Sequence, residues 1–134
     1  MREILFRGQR FSDLNEPYSN EWVEGFYYQL GSQHYIRKDI HIWEVDHKTV
    51  GQFTGLTDKN GVKIFDGDIF KRIDNKDTFL VVWEKDCYLS RTIYDNWIKS
   101  NILNRNNDVS LNFMTTFQIE VIGNIHSNPE LLNS

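Results

Sequence analysis

Apolar and polar residues alternate with period two through much of the chain, the pattern of half-buried strands. It predicts a first strand over Ile4–Phe11, entered through Arg2, Ile4 and Phe6, and a second over Trp22–Leu30 with a bulge at Gly25. Between them Asp13–Asn20 is rich in turn formers, and Pro17 removes a backbone donor. Gly31-Ser32 turns the chain into a strand at His34–Arg37. In the run Ile40–Asp46 one face carries Ile40, Ile42, Glu44 and Asp46, and the other His41, Trp43 and Val45. Apolar residues on both faces point to a central strand.

The clearest signals lie in the middle. Val50–Leu56 leads into Asp58-Lys59-Asn60-Gly61 and then Val62–Phe65. Asn-Gly between alternating runs is a strong hairpin signal, because both residues tolerate positive φ. Asp66-Gly67 makes a second turn into Asp68–Ile73, and Asn75-Lys76-Asp77 a third into Phe79–Trp83. Three close turns make an antiparallel meander or a small barrel. Pairing of the Gly67-Asp68-Ile69 strand with Val81-Val82-Trp83 is similar to SH3-like barrels at the level of fold alone.

Residues 84 to 112 support two readings. Ile93, Tyr94, Trp97, Ile98 and Ile102 fall at helical spacing, which favours an amphipathic helix, while Tyr88–Tyr94 also reads as a strand. Asn104–Asp108 reads as a loop. A last strand spans Phe117–Ile125, with Ile119, Val121 and Gly123 on one side and Ile122 on the other. Asn128 before Pro129 is a helix start, so a short terminal turn follows through Leu132. The fold class expected is mainly β: an antiparallel meander or small barrel-like domain, single over 1–134, with one or two short helices.

Composition supports strands. The 134 residues contain no alanine, the best helix former, and 19 are aromatic. A genome rich in A and T would give the same bias. No stretch approaches the ~20 apolar residues of a membrane helix. Met1–Arg7 has no apolar core of the kind a signal peptide needs. Cys87 is the one cysteine, so an internal disulfide is excluded, as suits a reducing cytosol. Fifteen Lys and Arg against nineteen Asp and Glu leave a net charge of −4, which disfavours a domain-wide basic footprint for nucleic acid.

Catalytic templates find little support. Cys87 lies far in sequence from His34, His41, His47 and His126, which leaves it without a base nearby along the chain. His41 and His47, six apart, match no common zinc spacing, and no phosphate-binding glycine motif or nucleophile elbow is present. Asp46, Asp58, Asp66 and Asp68 are oxygen donors that suit Mg²⁺ in a hydrolase or nuclease. The competing reading is that Asp58 and Asp66 bond their own backbone in turns and that Asp68 starts a strand. Trp22, Phe26, Tyr27, Tyr28 and Trp43, with Arg2, Arg7, Arg10, Arg37 and Lys38, form a candidate stacking surface for a single strand, against a packing role for most aromatics.

Val50-Gly51-Gln52-Phe53-Thr54-Gly55-Leu56-Thr57-Asp58-Lys59-Asn60-Gly61 and Ile64-Phe65-Asp66-Gly67-Asp68-Ile69 resemble the signature of the YopX family. Arg2–Gly8 is similar to its N-terminal motif, Trp22-Val23-Glu24-Gly25-Phe26 to its Trp-x-x-Gly element, and Glu120–Ile125 with Asn128–Leu132 to its C-terminal signature. The likeness spans nearly the whole chain, apart from 84–116. It implies a β-dominated fold, an origin in phages or prophages of Gram-positive bacteria, and action in the host cytoplasm. It implies no catalytic residues, because the family's molecular function is not established. Gly51, Gly55, Gly61, Gly67 and Gly123 in these motifs fit special backbone angles or close strand approach.

The function expected is therefore a non-enzymatic binding module that meets a host or phage protein or forms a homo-oligomer, without cofactor, metal or membrane. A nucleic-acid-binding small barrel is the alternative, and a carboxylate-dependent hydrolase or nuclease the less favoured one. Turns on a rigid scaffold make Gln52, Thr54, Asp58, Asp66 and Asp68 the candidate binding residues.

Overall fold

Alternation over the first third of the chain folds into four strands: β1 (Phe6–Gln9), β2 (Trp22–Leu30), β3 (Gln33–Lys38) and β4 (His41–Glu44). The computed structural model describes residues 4–11, 21–84, 87–93 and 109–133, so the turn-rich loop at 13–20 lies outside the described residues. Its contacts gather into two compact units, Met1–Phe53 and Thr54–Ser134, and the division falls inside β5 (Gly51–Thr57).

In the first unit all neighbours are antiparallel, in the order β4-β3-β2-β1, with the start of β5 beside β1. Strand β2 changes partner midway. Val23, Glu24 and Gly25 pair with Gly8, Arg7 and Phe6, whereas Phe26–Leu30 pair with β3. Gly25 stands at this change. A Cβ built there would lie 2.3 Å from the Arg37 carbonyl oxygen, so glycine is required for close backbone approach. Pairing with β1 ends at Gly25 and pairing with β3 begins at Phe26, and neither ladder shows a register shift, so a change of partner stands where a bulge was expected. Strand β4 is also not central: it ends the described sheet, with Ile42 exposed on one face and Val45 buried on the other. A single bridge between Arg10 and Val45 links β1's continuation to the end of β4. Among the described residues no sheet closes into a barrel. Val23, Ile36 and Val45 form this unit's core, with Tyr27, Trp43 and Val50 packed against them.

The second unit holds the rest of β5, then β6 (Lys63–Phe65), β7 (Asp68–Arg72), β8 (Thr78–Glu84), β9 (Cys87–Thr92), β10 (Val109–Ser110), the four-residue helix α1 (Leu111–Met114) and β11 (Ile119–Asn124). Its main sheet is antiparallel, ordered β10-β9-β8-β7-β11. The strand reading of 88–94 forms as β9, while the helix expected from Ile93 to Ile102 falls, beyond Ile93, outside the described residues. Helix α1 was not expected; its Leu111 and Met114, three apart, both enter the core.

Period two sorts strand β8 between two cores. Phe79 and Val81 join Ile64, Phe70, Tyr88, Leu111, Met114 and Ile119 on one face. Leu80 joins Ile69 and Ile93 on the other, with Val82, Ile122 and Leu131 packed against them. A turn of 3₁₀ helix at Pro129–Asn133 follows β11, as the Asn-Pro signal predicts. The Asn128 side chain, however, accepts from Asn124 N at 3.2 Å, so it ties the turn back to β11.

Candidate binding surface

The residues singled out by sequence are for the most part built into the backbone. Asp58 is buried at the end of the β5–β6 hairpin, and its carboxylate accepts three main-chain hydrogen bonds. Oδ1 takes Asn60 N at 2.8 Å and Val62 N at 3.0 Å, while Oδ2 takes Val121 N at 2.9 Å from β11. These bonds select a loop longer than a two-residue Asn-Gly turn. Gly61 N donates to Asp58 O at 3.0 Å, and of the loop residues only Gly61 takes a positive φ, +79°.

Thr54 is buried, donates its hydroxyl to Ile64 O at 2.7 Å and accepts from Leu56 N at 3.2 Å beside Gly55. Asp68 is buried at the start of β7, where Oδ2 accepts from Phe65 N at 2.8 Å across the Asp66-Gly67 corner. Asp66 lies half-exposed in that corner, and Gln52 is half-exposed in β5 opposite Phe6. Asp46 accepts from Lys48 N at 3.1 Å as the cap of a 3₁₀ turn at His47–Thr49. Among the described residues no three His, Cys, Asp or Glu side chains are placed to hold a metal ion.

Beside Asp58 a cavity of about 360 Å³ is lined by Thr57, Lys59 and the segment Thr115–Ile119. Several of its polar groups are engaged elsewhere. The Thr115 and Thr116 hydroxyls donate to Asn112 O at 2.8 Å and Phe113 O at 2.7 Å, and Lys59 Nζ lies 4.0 Å from Glu120.

Among the described residues, exposed apolar side chains gather on the outer face of β2, β3 and β4. Strand parity and register place Phe26, Arg37 and Ile42 in one row across the three strands, and Tyr28, Tyr35 and Glu44 in the next. Leu30 and Gln33 follow, and Glu24 precedes Phe26 on the same side of β2. Phe26 stacks on Tyr28 with ring centroids 6.3 Å apart, and Tyr28 on Tyr35 at 5.4 Å. Exposure is high: 63% for Phe26 and Leu30, 54% for Ile42, and 88% for Ile40 in the adjoining turn. Arg37 Nε donates to Asp39 O at 3.0 Å, which holds the guanidinium at the end of the strand. The face is thus an aromatic and aliphatic centre with one cation and two flanking carboxylates.

This arrangement divides the aromatics grouped together from sequence. Phe26 and Tyr28 face outward, while Tyr27 and Trp43 pack on Val23, Ile36 and Val45. Trp22 carries the Arg7 guanidinium over its ring at 4.9 Å, and Arg10 pairs with Glu21 at 3.4 Å. Arg2 lies outside the described residues. Tyr35, Leu30, Ile40 and Ile42 were not singled out. Period-two parity read outward from Phe26 and Tyr28 would have found Leu30. On the inner side the Tyr27 hydroxyl and His34 Nδ1 share a hydrogen bond, and the His34 and His47 rings stack at 4.7 Å. Cys87 is exposed at the start of β9.

Comparison with known proteins agrees with the architecture. A family model described as YopX protein matches residues 5–133. The solved structure of protein EF1440 from Enterococcus faecalis is similar with a TM-score of 0.52 at 23% identity, over 98% of this chain and 99% of that one, which is a likeness of fold. No match is found among curated proteins. No helix among the described residues is long and apolar enough to cross a membrane.

Proposed function

The chain belongs to the YopX family, and from that premise we propose that it is a non-enzymatic interaction module of a phage or prophage, acting in the host cytoplasm. Its docking surface is the outer face of β2–β4, and its ligand is a polypeptide. The observation that carries this reading is the group of exposed apolar side chains on that face and its adjoining turn. Phe26, Leu30, Ile40 and Ile42 leave on the order of 500 Å² of apolar side chain in water, near the upper end for a monomer and typical of a contact surface. The buried acidic side chains offer a contrast, since Asp58 and Asp68 spend carboxylate oxygens on main-chain N–H groups.

Photo-crosslinking in cells carrying the phage tests the reading. A photoreactive residue at Phe26 or Ile42 is expected to give discrete adducts with a polypeptide, and one at Val62, exposed on the second unit, is not. Absence of adducts from both face positions sinks the proposal.

The stacked rings Phe26, Tyr28 and Tyr35 also favour a second reading, in which bases of a single strand stack on the face beside Arg37. Glu24, Glu44 and a net charge of −4 oppose it, because a phosphate chain would cross two carboxylates for one guanidinium. Titration of labelled oligothymidine at low salt decides: binding at tens of micromolar, lost in Phe26→Ala, would establish it over the polypeptide reading.

A further inference from the structure

The composition of this face points beyond a polypeptide in general. We propose that its occupant is a second copy of this chain, docked face to face about a two-fold axis; the inference rests on the reading of β2–β4 as a contact surface. In such an isologous contact each pairing occurs twice, so a face must be complementary to itself. This one is. Its centre is largely apolar and aromatic, with Phe26, Tyr28, Tyr35 and Ile42 around Arg37, and it meets an identical centre in the second copy. Arg37 on β3 and Glu44 on the neighbouring end strand β4 lie diagonally in adjacent rows, so a two-fold axis passing between them brings Arg37 of each copy to Glu44 of the other. A nucleic acid or an acidic peptide would meet Glu24 and Glu44 with only Arg37 to offset them.

Area gives the expected strength. Two faces of this size bury on the order of 1,000 Å² together, the lower bound for a specific interface, so the dimer is reversible. Sheet-on-sheet packing is a standard way to cover such a face, with side chains from both sheets interdigitating.

Analytical ultracentrifugation of the full chain tests the proposal. Weight-average mass is expected to rise from one chain towards two between roughly 1 and 500 µM, the range that a small interface implies. The double variant Phe26→Glu/Ile42→Glu should weaken association at least about tenfold, with a circular dichroism spectrum like that of the parent, since both side chains are exposed. Charge reversal gives the more specific arm. Arg37→Glu alone and Glu44→Arg alone should each lose dimer, and an equimolar mixture of the two should regain it, because only the mixed pair restores both contacts. A monomer throughout the concentration range, or a dimer indifferent to all these changes, overturns the inference. Single variants that dimerise as well as their mixture also overturn it. If the chain is monomeric but Phe26 and Ile42 still crosslink to a different protein in cells, this inference falls while the docking surface stands. If neither association nor crosslinks occur, both fall.

Discussion

Asp58 shows how one side chain can set local structure and carry a long-range contact together. Its Oδ1 organises the β5–β6 loop through Asn60 N and Val62 N, and its Oδ2 reaches Val121 N, 63 positions away. Asp58→Ala leaves three donors without this acceptor and should cost about 2–4 kcal/mol in a urea titration. Asp58→Asn keeps one acceptor but presents a donor group within the same ring of N–H groups, and should cost about half as much. Equal stability in Asp58→Ala would refute the clamp. Ser90 is the opposite case. Its hydroxyl is buried in β9 with no hydrogen-bond partner among the described residues, so Ser90→Ala should raise stability by up to about 1 kcal/mol, seen as a higher Tm. Asp74 gives a pH prediction. Hydrogen bonds from Arg72 at 2.6 and 3.0 Å hold its carboxyl below the ordinary value of 3.8. A depressed folded pKa contributes stability above the unfolded value that is lost as pH falls through the folded one. The loss should therefore appear below about pH 4 and be absent in Asp74→Asn, and it should be small because the pair is exposed.

At the scale of elements, the informative strand is β2. Its span is legible from alternation, and Trp22–Leu30 is both expected and observed. Its exchange of partners at Gly25 is not, because which neighbour lies beside each half depends on residues far along the chain. Gly25→Ala should cost about 3 kcal/mol or more, since its Cβ would meet the Arg37 carbonyl at 2.3 Å and backbone must move. A melting temperature unchanged from the parent would show that the strands can part at little cost. The reading of β4 as central failed for a related reason. Apolar residues on both faces of Ile40–Asp46 mean burial on both sides only if both are covered, and here one stays exposed. The same exposure makes the face a candidate contact surface. The hairpin at Asp58–Gly61 was legible in position but not in type, because the Asp58 carboxylate selects the longer loop.

Over the whole molecule the two units differ in what holds them. Among the described residues the first gathers Val23, Ile36 and Val45 into its core, whereas the second has one core of eight buried residues and another of three. Amides of β2 and β3 should therefore exchange through lower-energy openings than those of β7 and β8, as native-state hydrogen exchange would measure. Uniform protection across both sets would contradict this. By itself the sequence determined the mainly β class, most strand positions, the turns at 58–61, 66–67 and 75–77, and the family, because strand alternation, turn chemistry and motifs are local in the chain. Only the tertiary structure decided that Asp58 and Asp68 serve the backbone, that β2 divides between two partners, and that Phe26, Tyr28, Tyr35 and Ile42 share an exposed face. Those are properties of register and strand order, which join residues distant in the chain, and no short-range pattern encodes which of two strand faces the fold leaves in water.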